Sequence, residues 1–231
     1  MGAHAARVTL LTVLVLAVDT STPTVLAALV ELDADGLART RACRRTVDAR
    51  AHAEVLTPQV LDCLAEVDRQ PTALAAVVCG TGPGPYTGLR VGMVTAVAFG
   101  DALGIPVHGV CSLDAIAGAA EHAGPLLVVT DARRREVYWA RYSAGTRTEG
   151  PAVARPGAVD AGTATAVAGS AAHAALFGRL VIGPDSPDPA VLVQLAAQEL
   201  LSATPPAPVV PLYLRRPDAV ATSDRRKALQ P

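Results

Sequence analysis

The sequence predicts an α/β fold built as two related halves, and three observations carry that reading. VLVLAVDTSTPTVLAAL and PLLVVTDARRREVYWARY share one layout: apolar strand, terminal Asp, tight turn, second strand. Cys79-Gly80-Thr81-Gly82-Pro83-Gly84-Pro85-Tyr86-Thr87-Gly88-Leu89-Arg90 joins an apolar strand to a helix through a Gly/Pro turn. The helix that follows carries no charge from Val91 to Gly100, so it must be covered on more than one side. The halves are placed at residues 1–108 and 109–215, with 216–231 a mobile tail.

The elements follow in order. Val13 to Val18 is a continuous apolar run, expected of a central strand buried on both faces. Its extension back to Val8 reads as part of that strand rather than as a signal peptide. The run is too short to span a bilayer and ends without a small-x-small cleavage site. Thr24 to Leu32 is its hairpin partner, and Leu37 to Val47 an outer strand with its Arg side chains in water. A helix is expected over Glu54–Arg69, with Leu56, Val60, Leu64 and Val67 on one face and Val55 and Leu61 widening it. Pro58 falls in its first turn, where a missing N–H costs little.

Ala75 to Cys79 is a strand, and the next helix spans Gly88–Leu103 with Thr87 as its N-cap. Gly104-Ile105-Pro106 stops it. Val107 to Val110 is a strand, and Ser112 caps a helix to about His122. Leu126 to Thr130 is again an apolar strand ending in an Asp. Glu136 to Ser143 places Val137 and Trp139 on one face and Tyr138, Ala140 and Tyr142 on the other. Residues 144–162 read as loops and short pieces. Ala164–Gly169 and Leu180–Ile182 are strands flanking a short helix. Pro189–Ser202 is an amphipathic helix, Thr204–Pro211 a Pro-rich linker, and Leu212–Leu214 an extended piece.

Composition narrows the function classes. The chain has 231 residues, 51% hydrophobic and 18% charged, which is globular and long enough for a real core. A net charge of −1 gives no global field toward nucleic acid or an acidic membrane, and no segment is long enough to be transmembrane. Four cysteines lie far apart with no C-x-x-C pair, which fits a reduced cytoplasmic compartment. Aromatics make up only 3%, which argues against a base-stacking surface.

The chemistry-bearing candidates are few. The Gly/Pro loop is either a structural turn or an anion site at a helix N-terminus. A P-loop would need Lys-Ser/Thr after its last Gly, where Leu89-Arg90 stand, and Pro83 and Pro85 remove two donors. Asp19 and Asp131 each end a strand at a tight turn, and two such turns across a cleft would suit Mg-nucleotide binding. Neither turn contains the Gly that close phosphate approach demands. They read as degenerate nucleotide-site candidates. His52 has no second His one turn away, so no metal site is expected, and no G-x-S-x-G marks a nucleophile. The charge-free helix either packs in the core alone or also meets a protein partner. Gly92, Ala96 and Gly100 would let another helix approach closely.

Val18-Asp19-Thr20-Ser21-Thr22, Gly80 to Gly92, Gly104-Ile105-Pro106-Val107 leading to Cys111-Ser112-Leu113, and Asp131 to Tyr138 resemble the TsaB (YeaZ) family. The resemblance covers residues 13–143, with Leu212-Tyr213-Leu214-Arg215 beyond it. Pro85-Tyr86 stand where the family commonly has Ser-Phe, a departure that keeps an aromatic. The resemblance implies an actin-like/hexokinase-like ATPase (ASKHA) fold in two halves with mixed sheets. It implies a non-catalytic accessory subunit that binds the catalytic subunit TsaD, with the ATPase TsaE. Together these threonylcarbamoylate the adenosine next to the anticodon in tRNAs reading codons that begin with A. In that family the contact runs through the helices here mapped to 54–69 and 88–103. Leu56, Val60, Leu64, Met93 and Val97 are therefore expected in or beside the interface. No cofactor or metal of its own is implied, although ATP or ADP could sit at a complex interface. In isolation the chain is left open as a homodimer or a monomer, and contact with tRNA is expected to be only indirect. The rival reading is an active Mg-ATP-dependent small-molecule kinase or ATPase using Asp19 and Asp131. A protease reading lacks a nucleophile or metal site.

Overall fold

The computed structural model describes residues 12–48, 52–202 and 204–215. The expected tail at 216–231, the start of the apolar run at 8–11 and the side chain of His52 lie outside the described residues.

The first half is one five-stranded sheet of order β3-β2-β1-β4-β5. Its strands are β1 (Val13–Asp19), β2 (Thr24–Leu32), β3 (Ala38–Val47), β4 (Leu74–Gly80) and β5 (Val107–Val110). β1 pairs antiparallel with β2 and parallel with β4. Central placement explains its sequence: Leu16 and Val18 feed one buried layer while Val15 and Ala17 feed the other. Helices α1 (His52–Glu66) and α2 (Tyr86–Leu103) lie together on the first of these layers. The opposite face is covered by α5 (Pro189–Leu201), through Leu192, Val193, Ala196 and Ala197.

The second half repeats the plan in order β10-β9-β6-β7-β8. Its strands are β6 (Leu126–Asp131), β7 (Val137–Ser143), β8 (Thr146–Ala154), β9 (Ala166–Gly169) and β10 (Leu180–Ile182). Read from its far edge it matches the first sheet strand for strand, hairpin first and parallel additions after. The internal pattern in the sequence is thus a structural repeat. As expected, Ala140 and Tyr142 share one layer and Val137 and Trp139 the other. Helix α3 (Ser112–Gly118) joins the halves: Ala115 packs on the first sheet, Leu113 and Ile116 on the second. The short α4 (Ala171–Ala174) packs on the remaining layer.

Four local expectations are corrected. β8 is a nine-residue strand where loops were expected, because TRTEGPAVA is an edge strand with mostly open side chains and no apolar alternation. Helix α2 opens at Tyr86 with Pro85 as N-cap and no side-chain cap, so Thr87 lies inside the helix. The Pro85 carbonyl accepts the Leu89 N–H at 2.9 Å instead. Ser112 is likewise not a cap: Cys111 takes that place, and α3 stops at Gly118 rather than near His122. Finally, α1 ends at Glu66, and a left-handed Asp68 (φ 52°) turns the chain beyond it. The stop at Gly104 is as expected, with φ 67° and its N–H on the Gly100 carbonyl. Among the described residues no helix is long and apolar enough to cross a membrane.

Candidate partner-binding face and cleft

The two aspartates occupy equivalent places in the repeat. The Asp19 Oδ1 accepts the Ser21 N–H at 2.8 Å, and the Asp131 Oδ1 accepts the Arg133 N–H at 2.7 Å. Each carboxylate therefore closes its own hairpin turn by bonding the backbone two residues on. Their surroundings then diverge. Asp19 is fully buried, with Oδ1 also accepting from the Ser21 hydroxyl at 2.7 Å and Oδ2 from the Ser112 hydroxyl at 2.6 Å. Asp131 is half-buried, with Arg133 Nη1 at 3.4 Å and His173 Nε2 at 3.7 Å.

The Gly/Pro loop between β4 and α2 is bonded into the same region. The N–H of Thr81 donates to the Val110 carbonyl at 2.8 Å, and that of Gly82 to the Ser112 hydroxyl at 3.1 Å. Gly84 rests on the backbone of Ser21, where a β-carbon would lie 2.5 Å from the Ser21 carbonyl oxygen. Close approach to the first hairpin requires glycine there. From the second half, the Tyr138 hydroxyl donates to the Gly84 carbonyl at 3.3 Å. Beside this joint, Thr20, Thr22, Thr87 and Arg133 border a pocket of about 180 Å³.

The helices carry the other candidates. Leu56, Val60 and Leu64 are buried in the chain's own core, on the sheet side of α1. Met93 is buried there as well, from α2. Of the five expected interface residues only Val97 reaches the surface, at 38% exposure. Regular helical spacing had selected the stripe that faces the sheet. The outer side of α2 is nonetheless apolar: Val94 is 66% exposed, and Ala98 lies open next to Val97. On α1, Leu61 is 51% exposed. Between the start of α1 and α2 lies an open groove of about 420 Å³ lined by Ala53, Tyr86, Arg90, Val91 and Val94. The core-packing part of the expectation for the charge-free helix is met by its inner side. Leu89, Met93 and Ala96 pack on the sheet, and among the described residues Val94, Val97 and Ala98 on the outer side stay exposed.

One cluster had no counterpart in the sequence reading. Tyr86 stacks on Tyr213 with centroids 4.9 Å apart, and the Arg90 guanidinium lies 4.2 Å from the Tyr86 ring centre. The Arg90 Nε donates to the Tyr213 hydroxyl at 2.6 Å. The extended C-terminal segment is thereby fixed against the first turns of α2, where the Leu212 N–H also donates to the Thr81 carbonyl at 2.9 Å. The available signal was the isolated Leu212-Tyr213-Leu214-Arg215 piece after a Pro-rich linker.

Comparison with known proteins places this arrangement. The family model described as TsaD, tRNA N6-adenosine threonylcarbamoyltransferase, matches residues 46–179. An uncharacterized protein of Mycobacterium leprae is 57% identical over 206 residues, covering 89% of this chain and 56% of its own. The tRNA threonylcarbamoyladenosine biosynthesis protein TsaB of Bacillus subtilis is 33% identical over 129 residues, covering 55% of this chain and 54% of its own. The chain thus spans just over half the length of these two relatives. Among solved structures, YeaZ from Pseudomonas aeruginosa superposes with a TM-score of 0.70 at 28% identity, over 87% of this chain and 100% of that one.

Proposed function

The chain belongs to the TsaB (YeaZ) family, within the wider threonylcarbamoyltransferase family whose model it matches, and on that premise we propose that it is a non-catalytic accessory subunit of tRNA threonylcarbamoyladenosine synthesis. It binds a TsaD-type catalytic subunit, with a TsaE-type ATPase, in the cytoplasm. The observation that carries the reading is the outer face of α2. Val94 and Val97 stand open beside the apolar groove that Tyr86 and Val91 line. A charge-free helix side left open on a well-packed sheet is what a partner helix covers.

The cleft supports an accessory rather than a catalytic role. The Asp19 carboxylate already accepts three hydrogen bonds within the chain, so it has little capacity left to position a metal and its waters. The neighbouring pocket, about 180 Å³, is well below the roughly 300 Å³ at which small-ligand sites begin. These residues do not fit a resident Mg-nucleotide. Any ATP or ADP in the assembly would be held at an interface with the partners.

Reconstitution tests the reading. Supplied with ATP and an activated threonylcarbamoyl donor, a TsaD-type subunit and the TsaE-type ATPase should transfer that group to the adenosine of an unmodified tRNA reading A-starting codons only when this chain is added. Equal modification without it, or ATP turnover by the isolated chain, would contradict the proposal.

A further inference from the structure

Helix α2 carries two charges, one near each end, and neither is placed to suit the helix. Arg90 follows directly on its first turn and Asp101 stands in its last. The helix dipole favours carboxylates at the start and cations at the end, the reverse of this arrangement. Both side chains are exposed. Among the described residues no ion pair involves either of them. Between them the open side of the helix is apolar, with Val94, Val97 and Ala98.

Arg90 is nonetheless held in place. Its Nε donates to the Tyr213 hydroxyl at 2.6 Å, and its guanidinium lies 4.2 Å from the Tyr86 ring centre and 5.7 Å from that of Tyr213. The two rings stack on one another, and the Leu212 N–H fixes the segment that brings Tyr213 there. These contacts use Nε and leave the two Nη groups free of any hydrogen bond to the described residues. A long side chain on the surface has thus lost its rotamer freedom before a partner arrives, which lowers the ordering cost of binding. It borders the groove of about 420 Å³ together with Tyr86, Val91 and Val94. An arginine stacked on tyrosine beside apolar side chains is the chemistry that anchors protein interfaces.

We propose that α2 selects its partner by charge as well as by apolar contact. A carboxylate of the catalytic subunit takes the Nη groups of Arg90, and a Lys or Arg of that subunit meets Asp101, about 16 Å further along the helix. Tyr86 and Tyr213 are positioning residues that aim the guanidinium. The inference rests on the reading of the outer face of α2 as the contact for a TsaD-type subunit, and it adds what that subunit must present. A phosphate would also suit a guanidinium, but the valines beside Arg90 offer nucleic acid nothing and the Asp101 carboxylate repels it. The two charges set the register of the partner along the helix and reject a surface with a cation opposite Arg90.

The test titrates the full chain against the TsaD-type subunit across a salt series. Arg90→Gln should weaken binding at least about tenfold and flatten its salt dependence, with the isolated chain still folded. Tyr213→Phe keeps the ring and loses the hydroxyl, and should weaken binding about threefold. Arg90→Lys keeps the charge and supplies a nucleophilic amine in a chain whose only natural lysine is Lys227. With a carbodiimide, that variant should form an amide cross-link from position 90 to an Asp or Glu of the partner, read by peptide mass mapping. Unchanged affinity and salt dependence in Arg90→Gln, or no such cross-link in a formed complex, overturns the inference while leaving the apolar contact on α2 standing. Self-association of the natural chain that Arg90→Glu abolishes without loss of partner binding gives the face to a second copy and also overturns it. Failure of the natural chain to bind the catalytic subunit overturns both this inference and the reading beneath it.

Discussion

The Ser112 hydroxyl donates to the Asp19 carboxylate at 2.6 Å, tying the end of β1 to the first residue of α3. Because α3 packs on both sheets, this bond sits where the halves are joined. Gly80 lies directly against the carboxylate, and a β-carbon there would overlap Asp19. Asp19 is therefore a buried structural acceptor. Asp19→Ala should cost about 2–4 kcal/mol, since it strands the Ser21 and Ser112 donors in the interior. Ser112→Ala should cost less, about 1 kcal/mol. Urea unfolding midpoints measure both. Wild-type stability in Asp19→Ala would return the residue to a ligand-binding role.

Gly92 shows how tightly α2 is seated on the first hairpin. Its N–H donates to the Thr20 hydroxyl at 3.0 Å, which in turn donates to the Gly88 carbonyl at 2.7 Å. A β-carbon at Gly92 would overlap that hydroxyl. Gly92→Ala should destabilise by about 1–3 kcal/mol despite alanine's better helix propensity. Gly104→Ala meets nothing within 4 Å and should lose only the left-handed cap, roughly 1 kcal/mol. Thermal unfolding of the pair separates overlap from backbone strain.

These cases mark what was legible in the sequence. The hairpins β1–β2 and β6–β7 were readable because continuous apolar runs end at an Asp that closes each turn. β8 was hidden because an edge strand facing water needs no apolar alternation. Thr87 and Ser112 have the chemistry of caps, but capping depends on where the backbone enters the helix. Thr87 falls inside it, and Asp19 and Gly82 draw Ser112 elsewhere. The interface residues show the same limit. Leu56, Val60 and Leu64 form the most regular stripe, and burial against the chain's own sheet is what made that stripe regular. The open face is marked by apolar residues left over on the other side of α2, Val94 and Val97.

Thiol chemistry gives a pH-dependent prediction. Burial pushes Cys63 up to about 11, Cys79 up to about 12 and Cys111 up to about 11. Native protein at pH 8 should therefore label slowly at these three positions, and rapidly once unfolded. Because the folded state favours the neutral thiol, the associated stability is fully present below the ordinary thiol value of 9.0 and is lost as pH rises toward about 12. Iodoacetamide labelling with peptide mass mapping checks the first part. Stability measured from pH 8 upward checks the second.

The Tyr86–Arg90–Tyr213 cluster should hold the C-terminal segment down. Tyr213→Ala removes a stacked ring and the Arg90 hydrogen bond, worth about 1–2 kcal/mol together. Amide exchange over residues 204–215 should accelerate, with little change in β1 or β4. Unchanged protection at Leu212 would mean that its bond to Thr81 holds the segment alone.

The outer face of α2 carries the functional reading, and Val94→Asp tests it most directly. At 66% exposure, a charge at this position should leave the isolated chain folded with an unchanged melting temperature. In a complex it would be buried without a partner, so titration against the TsaD-type subunit should show affinity reduced at least about a hundredfold. Leu56→Ala should do the reverse, costing about 2–5 kcal/mol of stability with little direct effect on binding. A Val94→Asp chain that binds the catalytic subunit as tightly as the natural one would contradict the placement of the interface on this helix.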